Sequence, residues 1–246
     1  MVQKLVDAVK AGECSLYEPQ LWPKDYAEQV IRDDGVKEDF DFVVVGAGSA
    51  GSVVASRLSE NSSVKVLVLE MGGDPPKESE MSLWWSLLQT DYIWNDYSIP
   101  NADCCQAMIG ERCYWPHGKM IGGSGGANAN VFLTGTRENY DVWKQSESLE
   151  WSWEDVNKYF SKAREQKGNA THPMGGLTLN YFKSPPEHEP VVGMIYQAVE
   201  ELGLPIVENF DGERYIGVTT NIWKTTEKGR RMSTGKTYLA KVTHNR

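Results

Sequence analysis

The stretch from Asp41 to Glu70 constrains this chain more than any other, because its hydrophobic period changes twice across a glycine turn. Phe42, Val43, Val44 and Val45 form a compact apolar run that stops at Gly46 and reads as a buried strand. Val53, Val54 and Leu58 then recur as on one helix face, and Asn61, Ser62 and Ser63 close that helix. Val64 to Glu70 is a second strand ending on an acid. Strand, helix and strand within about 30 residues make a right-handed parallel unit.

At the first junction Gly46-Ala47-Gly48-Ser49-Ala50-Gly51 spells GxGxxG, and Glu70 follows the first glycine by 24 residues. In this setting Gly46 permits the tight turn, Gly48 lets backbone approach a pyrophosphate, and Gly51 lets helix and strand pack closely. The helix amino terminus offers unpaired N–H groups and positive partial charge to phosphate. Glu70 is placed to accept hydrogen bonds from the adenosine ribose hydroxyls. Its charge disfavours a 2′-phosphate, so NADP is the least suited dinucleotide. The motif by itself does not separate FAD from NAD.

A second glycine-rich stretch, Gly118-Lys119-Met120-Ile121-Gly122-Gly123-Ser124-Gly125-Gly126-Ala127-Asn128, runs on into Ala129, Asn130, Val131 and Phe132. Gly122 to Gly126 alone resembles a linker, but it joins apolar segments, and a short glycine run so placed more often lets backbone approach a ligand.

Here the sequence resembles the glucose-methanol-choline oxidoreductase family, in particular its insect glucose-dehydrogenase-like branch. Gly118, Lys119, Ile121, Gly122, Gly123, Ser124, Gly125, Asn128, Phe132, Gly135 and Asp141 fall on the spacing of that family's first signature, while Ala127 stands where a larger aliphatic is usual. Asp41 to Ser52, Glu70 to Asp74, Trp115-Pro116 and Arg231-Met232-Ser233-Thr234 match as well. The resemblance implies an α/β chain (α+β overall), in which a Rossmann-type FAD-binding domain interleaves with a substrate domain built on an antiparallel sheet. Residues 1–38, with Val2, Leu5, Val6 and Val9 at helical spacing before Pro19 and Pro23, read as an amino-terminal helix and a strap lying on the main body; the resemblance implies the FAD-binding domain at 39–142 and the beginning of the substrate domain, truncated, at 143–246. Gly46 to Gly51, Glu70 and Met71 would hold the ADP half of FAD. Trp94, Trp115, Gly118, Lys119, Met120, Gly122, Gly123, Ser124, Asn128, Ala129, Asn130 and Val131 would lie along the pyrophosphate and flavin. Hydride from a carbon bearing a hydroxyl would pass to flavin N5 while a histidine takes the hydroxyl proton.

In the family that histidine stands far downstream in a longer chain, and His117, His172, His188 and His244 do not match its context. The chain therefore reads as a portion without its catalytic base, and the alcohol is not named by the residues present. The alternatives are an NAD-dependent dehydrogenase, with Gly122 to Gly126 as a plain loop, and a non-catalytic dinucleotide-binding fragment.

The remaining features bound the partners. A net charge of −9 argues against nucleic acid, and Lys224, Lys228, Arg230 and Arg231 read as a solvated loop. No apolar run is long enough for a membrane span, and Lys4, Asp7 and Lys10 interrupt any signal peptide core. Cys14, Cys104, Cys105 and Cys113 lack the spacing of a zinc site, so no metal is expected. The insect branch carries similar cysteines ahead of the signature, which implies that Cys105 and Cys113 can pair if the protein is exported. Two reduced thiols are the alternative. Further along, one helical pattern runs from Trp143 to Lys167 and another from Pro190 to Leu202. Leu177 to Phe182 and Ile216 to Ile222 read as strands, and Lys228-Gly229 as a turn.

Overall fold

The computed structural model describes residues 3, 21–32, 35–36, 39–81, 84–145, 151–165, 176–182, 188–208, 210 and 216–245. These fall into two units: the described residues of Met1–Ala129, Asn169–Gly176 and Lys228–Arg246 form the first, and those of Asn130–Gly168 and Leu177–Glu227 the second. The expected helix at the amino terminus, Cys14 and His172 lie outside the described residues.

In the first unit β1 (Phe42–Val45) runs parallel to β2 (Val66–Leu69), with Phe42 opposite Val66 and Val45 opposite Leu69. The helix α1 (Ser49–Leu58) connects them, as the change of period requires. Ala47, Ala55 and Leu239 form the core beneath α1, with Val44, Val66 and Val68 packed around them. Leu239 arrives on a π-helical turn, Gly235–Leu239, which continues as the helix Ala240–Asn245. The sequence reads β1 as buried on both faces. In the structure Val44 is the half-buried residue, whereas Val43 and Val45 are 56% and 82% exposed. The reason is that this sheet has two strands among the described residues, and α1 and Leu239 pack on one face of it.

Within the lead, residues 22 to 26 are tied to the helix Ala240–Asn245. Lys24 N–H donates to Thr243 Oγ1 at 3.0 Å, Tyr26 OH donates to the Thr243 carbonyl at 2.8 Å, and His244 Nε2 meets the Trp22 carbonyl at 2.8 Å.

The region after β2 shows no periodicity in sequence, yet β3 (Ile93–Tyr97) and β4 (Tyr114–Gly118) pair there as an antiparallel hairpin with Trp94 opposite His117. Cross-strand pairing supplies the order that alternation does not, and Ile93 joins Leu87 and Met120 in a small core against which Ala127 packs. The loop between the strands is closed by a disulfide, Cys105–Cys113, with a Cα–Cα separation of 5.4 Å. Cys104 is free and exposed. An unreduced peptic digest should therefore release a linked peptide containing Cys105 and Cys113, with Cys104 open to alkylation. Alkylation at all three positions would contradict the pairing.

The second unit is built on a three-stranded antiparallel sheet of β5 (Val131–Phe132), β6 (Asn180–Phe182) and β7 (Ile222–Lys224), with β7 in the middle. Phe132 and Tyr181 both stand opposite Trp223. The single helix expected from Trp143 to Lys167 is in fact two, α2 (Arg137–Gln145) and α3 (Trp153–Glu165). A side-chain cap starts α3: Asp155 N–H donates to Ser152 Oγ at 3.2 Å, and that hydroxyl donates to the Asp155 carboxylate at 2.6 Å. The helix expected at 190–202 is α4 (Glu189–Glu201). The strand expected at 216–222 lies later, as β7, with Val218 instead bridging to Ile206. No helix among the described residues is long and apolar enough to cross a membrane.

Candidate functional site

The first unit brings the two glycine-rich stretches together. Gly46 turns the chain at φ +93°, a left-handed conformation that disfavours a side chain, and its N–H donates to the Leu69 carbonyl at 2.7 Å. A Cβ on Gly51 would fall 2.0 Å from the Gly46 carbonyl oxygen, so only glycine lets α1 seat against the turn. Gly48 caps α1, and no side chain caps it in competition. Space is left at this end of the helix, since a Cβ on Gly48 would meet nothing nearer than the Gly123 Cα at 3.8 Å. Ser49 and Ala50 are exposed here, and Met71 stands 74% exposed beyond β2.

Gly123 to Gly126 forms a 3-10 turn behind Gly122. Gly122 N–H donates to the Ala47 carbonyl at 2.8 Å, and a Cβ on Gly123 would lie 2.7 Å from the Gly48 Cα. The second stretch thus packs directly onto the first. Ile121 N–H donates to Gly73 O at 2.9 Å, and Ser124 Oγ receives Gly118 N–H at 3.2 Å.

Glu70 has a role that its spacing did not disclose. Its Oε2 accepts the Ala47 N–H at 2.6 Å and its Oε1 the Gly72 N–H at 2.9 Å, so the carboxylate pins the turn from inside. A carboxylate has about four acceptor positions, which leaves capacity for ribose hydroxyls.

The other expected residues are placed unevenly. The Lys119 ammonium sits over the Trp94 ring at 4.8 Å, and Trp94 and Trp115 are both exposed on the hairpin. Met120 is fully buried with Leu87 and Ile93, so its side chain faces the core. Asn128 is half-buried and bonded to Arg231, and Ala129 is exposed. Asn130 and Val131 belong to the second unit, where Asn130 is buried and its carbonyl accepts Thr225 N–H at 2.8 Å. The three described histidines, His117, His188 and His244, are exposed. An open cleft of about 800 Å³ in the second unit is lined by Leu133, Thr136, Tyr140, Trp143 and Phe160 among others, with no histidine in its lining.

Arg231 corrects the reading of the basic cluster as a solvated loop. Lys228 is exposed, but Arg231 is 1% exposed, and close by are Lys236 at 2% and Glu80 at 3%. Lys236 Nζ donates to both carboxylate oxygens of Glu80, at 2.6 Å to Oε2, and to the Arg231 carbonyl at 3.2 Å. Burial pushes the Arg231 guanidinium down to about 10 against the opposing charge of Glu80, and burial lowers Lys236 in the same way. The sequence signal was the match at Arg231 to Thr234. Nothing local pairs Glu80 with a lysine 156 residues later.

Residues 40–246 match the model of the GMC oxidoreductase family. Glucose dehydrogenase (FAD, quinone) of Drosophila melanogaster is 35% identical over 208 residues, covering 82% of this chain and 32% of the relative. Ecdysone oxidase of Spodoptera littoralis is 32% identical over 245 residues, covering 94% of this chain and 39% of the relative. Pyridoxine 4-oxidase from Mesorbium loti superposes with a TM-score of 0.69 at 29% identity, over 85% of this chain and 41% of that one. The chain thus spans about a third of the length of the curated relatives it matches. With the two glycine-rich stretches joined at the head of α1, and with this match over most of its length, the chain belongs to the GMC oxidoreductase family.

Proposed function

We propose that this chain holds the adenosine and pyrophosphate parts of FAD in an oxidoreductase acting on the CH–OH group of a small-molecule donor, with the catalytic base supplied from outside residues 1–246. The observation that carries the reading is the packing of Gly122–Gly123 onto Ala47–Gly48 at the uncapped start of α1, beside Glu70. The space at Gly48 fits a pyrophosphate, the α1 N–H groups and helix dipole favour its charge, and Glu70 faces the ribose hydroxyls. Bound FAD supplies the hydride acceptor for oxidation of the alcohol carbon. In the NAD-dependent alternative Gly122 to Gly126 is a plain loop, whereas the positive φ of Gly122 and Gly123 and their contact with the first turn support a ligand-facing role. The names of two relatives, a glucose dehydrogenase (FAD, quinone) and an ecdysone oxidase, support an alcohol as donor. We propose further that the chain alone binds FAD weakly, so that the flavin titrates onto it but is lost on gel filtration.

Glu70→Ala should weaken FAD binding by about 1.5 to 3 kcal/mol, the range for hydrogen bonds to charged groups, or roughly ten- to a hundredfold in Kd. Glu70→Gln keeps one acceptor oxygen and should fall between. Flavin fluorescence titration measures both. An unchanged Kd for Glu70→Ala would place the acid outside the site and remove the reading.

A further inference from the structure

We propose that Arg231 is a positioning residue that sets the glycine turn 122–128 against Gly48 from behind, a role that rests on the FAD reading above only for its consequence in flavin binding.

Its guanidinium uses every donor it has. Nε donates to Ser79 O. One terminal nitrogen donates to Gly125 O at 3.0 Å and Asn128 Oδ1 at 2.6 Å, and the other to Asn128 O at 2.6 Å and Met81 O at 3.3 Å. A guanidinium offers five N–H groups in a fixed fork, so none remains for a phosphate, and Arg231 acts through the backbone it holds. The turn is gripped at Gly125 and at both the carbonyl and the side chain of Asn128, while the other arms tie it to residues 79–81.

The residues that follow complete the grip. A Cβ on Gly122 would lie 2.6 Å from Ser233 Oγ, and one on Gly235 would lie 2.8 Å from Ile121 Cγ2. On its opposite side the turn meets Ala47 and Gly48. It is therefore held between the first glycine turn and the segment 231–235, and any slack at Arg231 moves Gly123 relative to Gly48. A lysine cannot replace the fork, because one ammonium cannot reach acceptors on both sides. The Lys236–Glu80 pair touches Arg231 itself through the Arg231 carbonyl, so the comparison is placed away from it, at Ser152, whose hydroxyl caps α3 in the second unit.

The test compares the unsubstituted chain, Arg231→Lys, and Ser152→Ala, which removes the side-chain cap of α3 in the second unit. Amide exchange over residues 118–130 is read by mass spectrometry, and FAD is titrated while the shape of its visible band is recorded. Arg231→Lys should exchange the amides of 122–128 about tenfold faster. It should also raise the FAD Kd roughly tenfold and blur the shoulder of the bound-flavin band. Ser152→Ala should lower the melting temperature but leave exchange at 122–128 and the Kd within about twofold of the original. Unchanged exchange in Arg231→Lys, or equal acceleration in Ser152→Ala, would overturn the role while leaving FAD binding intact. Faster exchange in a chain that takes up no FAD would keep the positioning role and overturn the cofactor reading instead. If Arg231→Lys does not fold, Asn128→Ala removes one acceptor, and a turn that exchanges no faster in it would count against the proposal.

Discussion

Residues 1–246 expressed alone should give no detectable reduction of an electron-accepting dye with sugars or other alcohols, even with FAD in excess. A positioned base contributes about 10²- to 10⁴-fold to such a reaction, and none of the described histidines is held in a site. His117 lies on the exposed side of the hairpin opposite Trp94, His188 precedes α4, and His244 is committed to the Trp22 carbonyl. On the proposed reading the groups that position the substrate are also supplied from outside residues 1–246, which lowers the expected rate further. The open face of β1, with Val43 and Val45 exposed, adds a tendency to associate, so the assay belongs on freshly separated monomer. Saturable dye reduction by this chain would mean that a group within it serves as base, and the proposed division of labour would fall.

Glu80→Ala should lower the free energy of unfolding by about 3 to 5 kcal/mol, the cost of breaking a buried ion pair by removing one partner. Both oxygens of Glu80 receive the Lys236 ammonium, and both side chains are nearly inaccessible to water. Burial already holds Lys236 below the usual lysine range, and the Glu80 charge is what opposes that shift. Without the acid, Lys236 must stay buried and unpaired, lose its proton or drag its segment open. Because the ammonium also lies over the Trp22 ring at 4.4 Å, the strap should loosen with it. Replacing the pair together, Glu80→Gln with Lys236→Met, should cost far less. Denaturant unfolding of the three proteins measures the difference, and a loss below about 1 kcal/mol for Glu80→Ala would show that the pair contributes little.

The parallel unit was legible because its signals are local: a change from strand to helix period across Gly46, and an acid at the end of the second strand. The family was legible from motif spacing at Gly118 to Asn128. The hairpin of β3 and β4 was not, since Trp94, Asp96, Trp115 and His117 give no alternation and the order comes from pairing across the loop. The break between α2 and α3 was available at Ser152 to Asp155, but the aromatic run from Trp143 to Phe160 looks continuous when read for period alone. The return of residues 228–246 to the first unit was hidden for another reason. Its anchors, Arg231 on Asn128 and Lys236 on Glu80, join residues more than 100 positions apart. For the same reason the residues behind the glycine turn were absent from the expected site, and Glu70 disclosed its charge but not its grip on Ala47.

The central claim, that the joined glycine turns form an FAD site, is tested most directly by titrating the chain with FAD and following flavin fluorescence, with NAD as competitor and Gly48→Val as control. Valine at Gly48 should fill the space at the head of α1. The expected result is saturable quenching that NAD does not relieve and that Gly48→Val abolishes while the far-ultraviolet circular dichroism is kept. Displacement of FAD by NAD, or equal quenching by the valine variant, would contradict it.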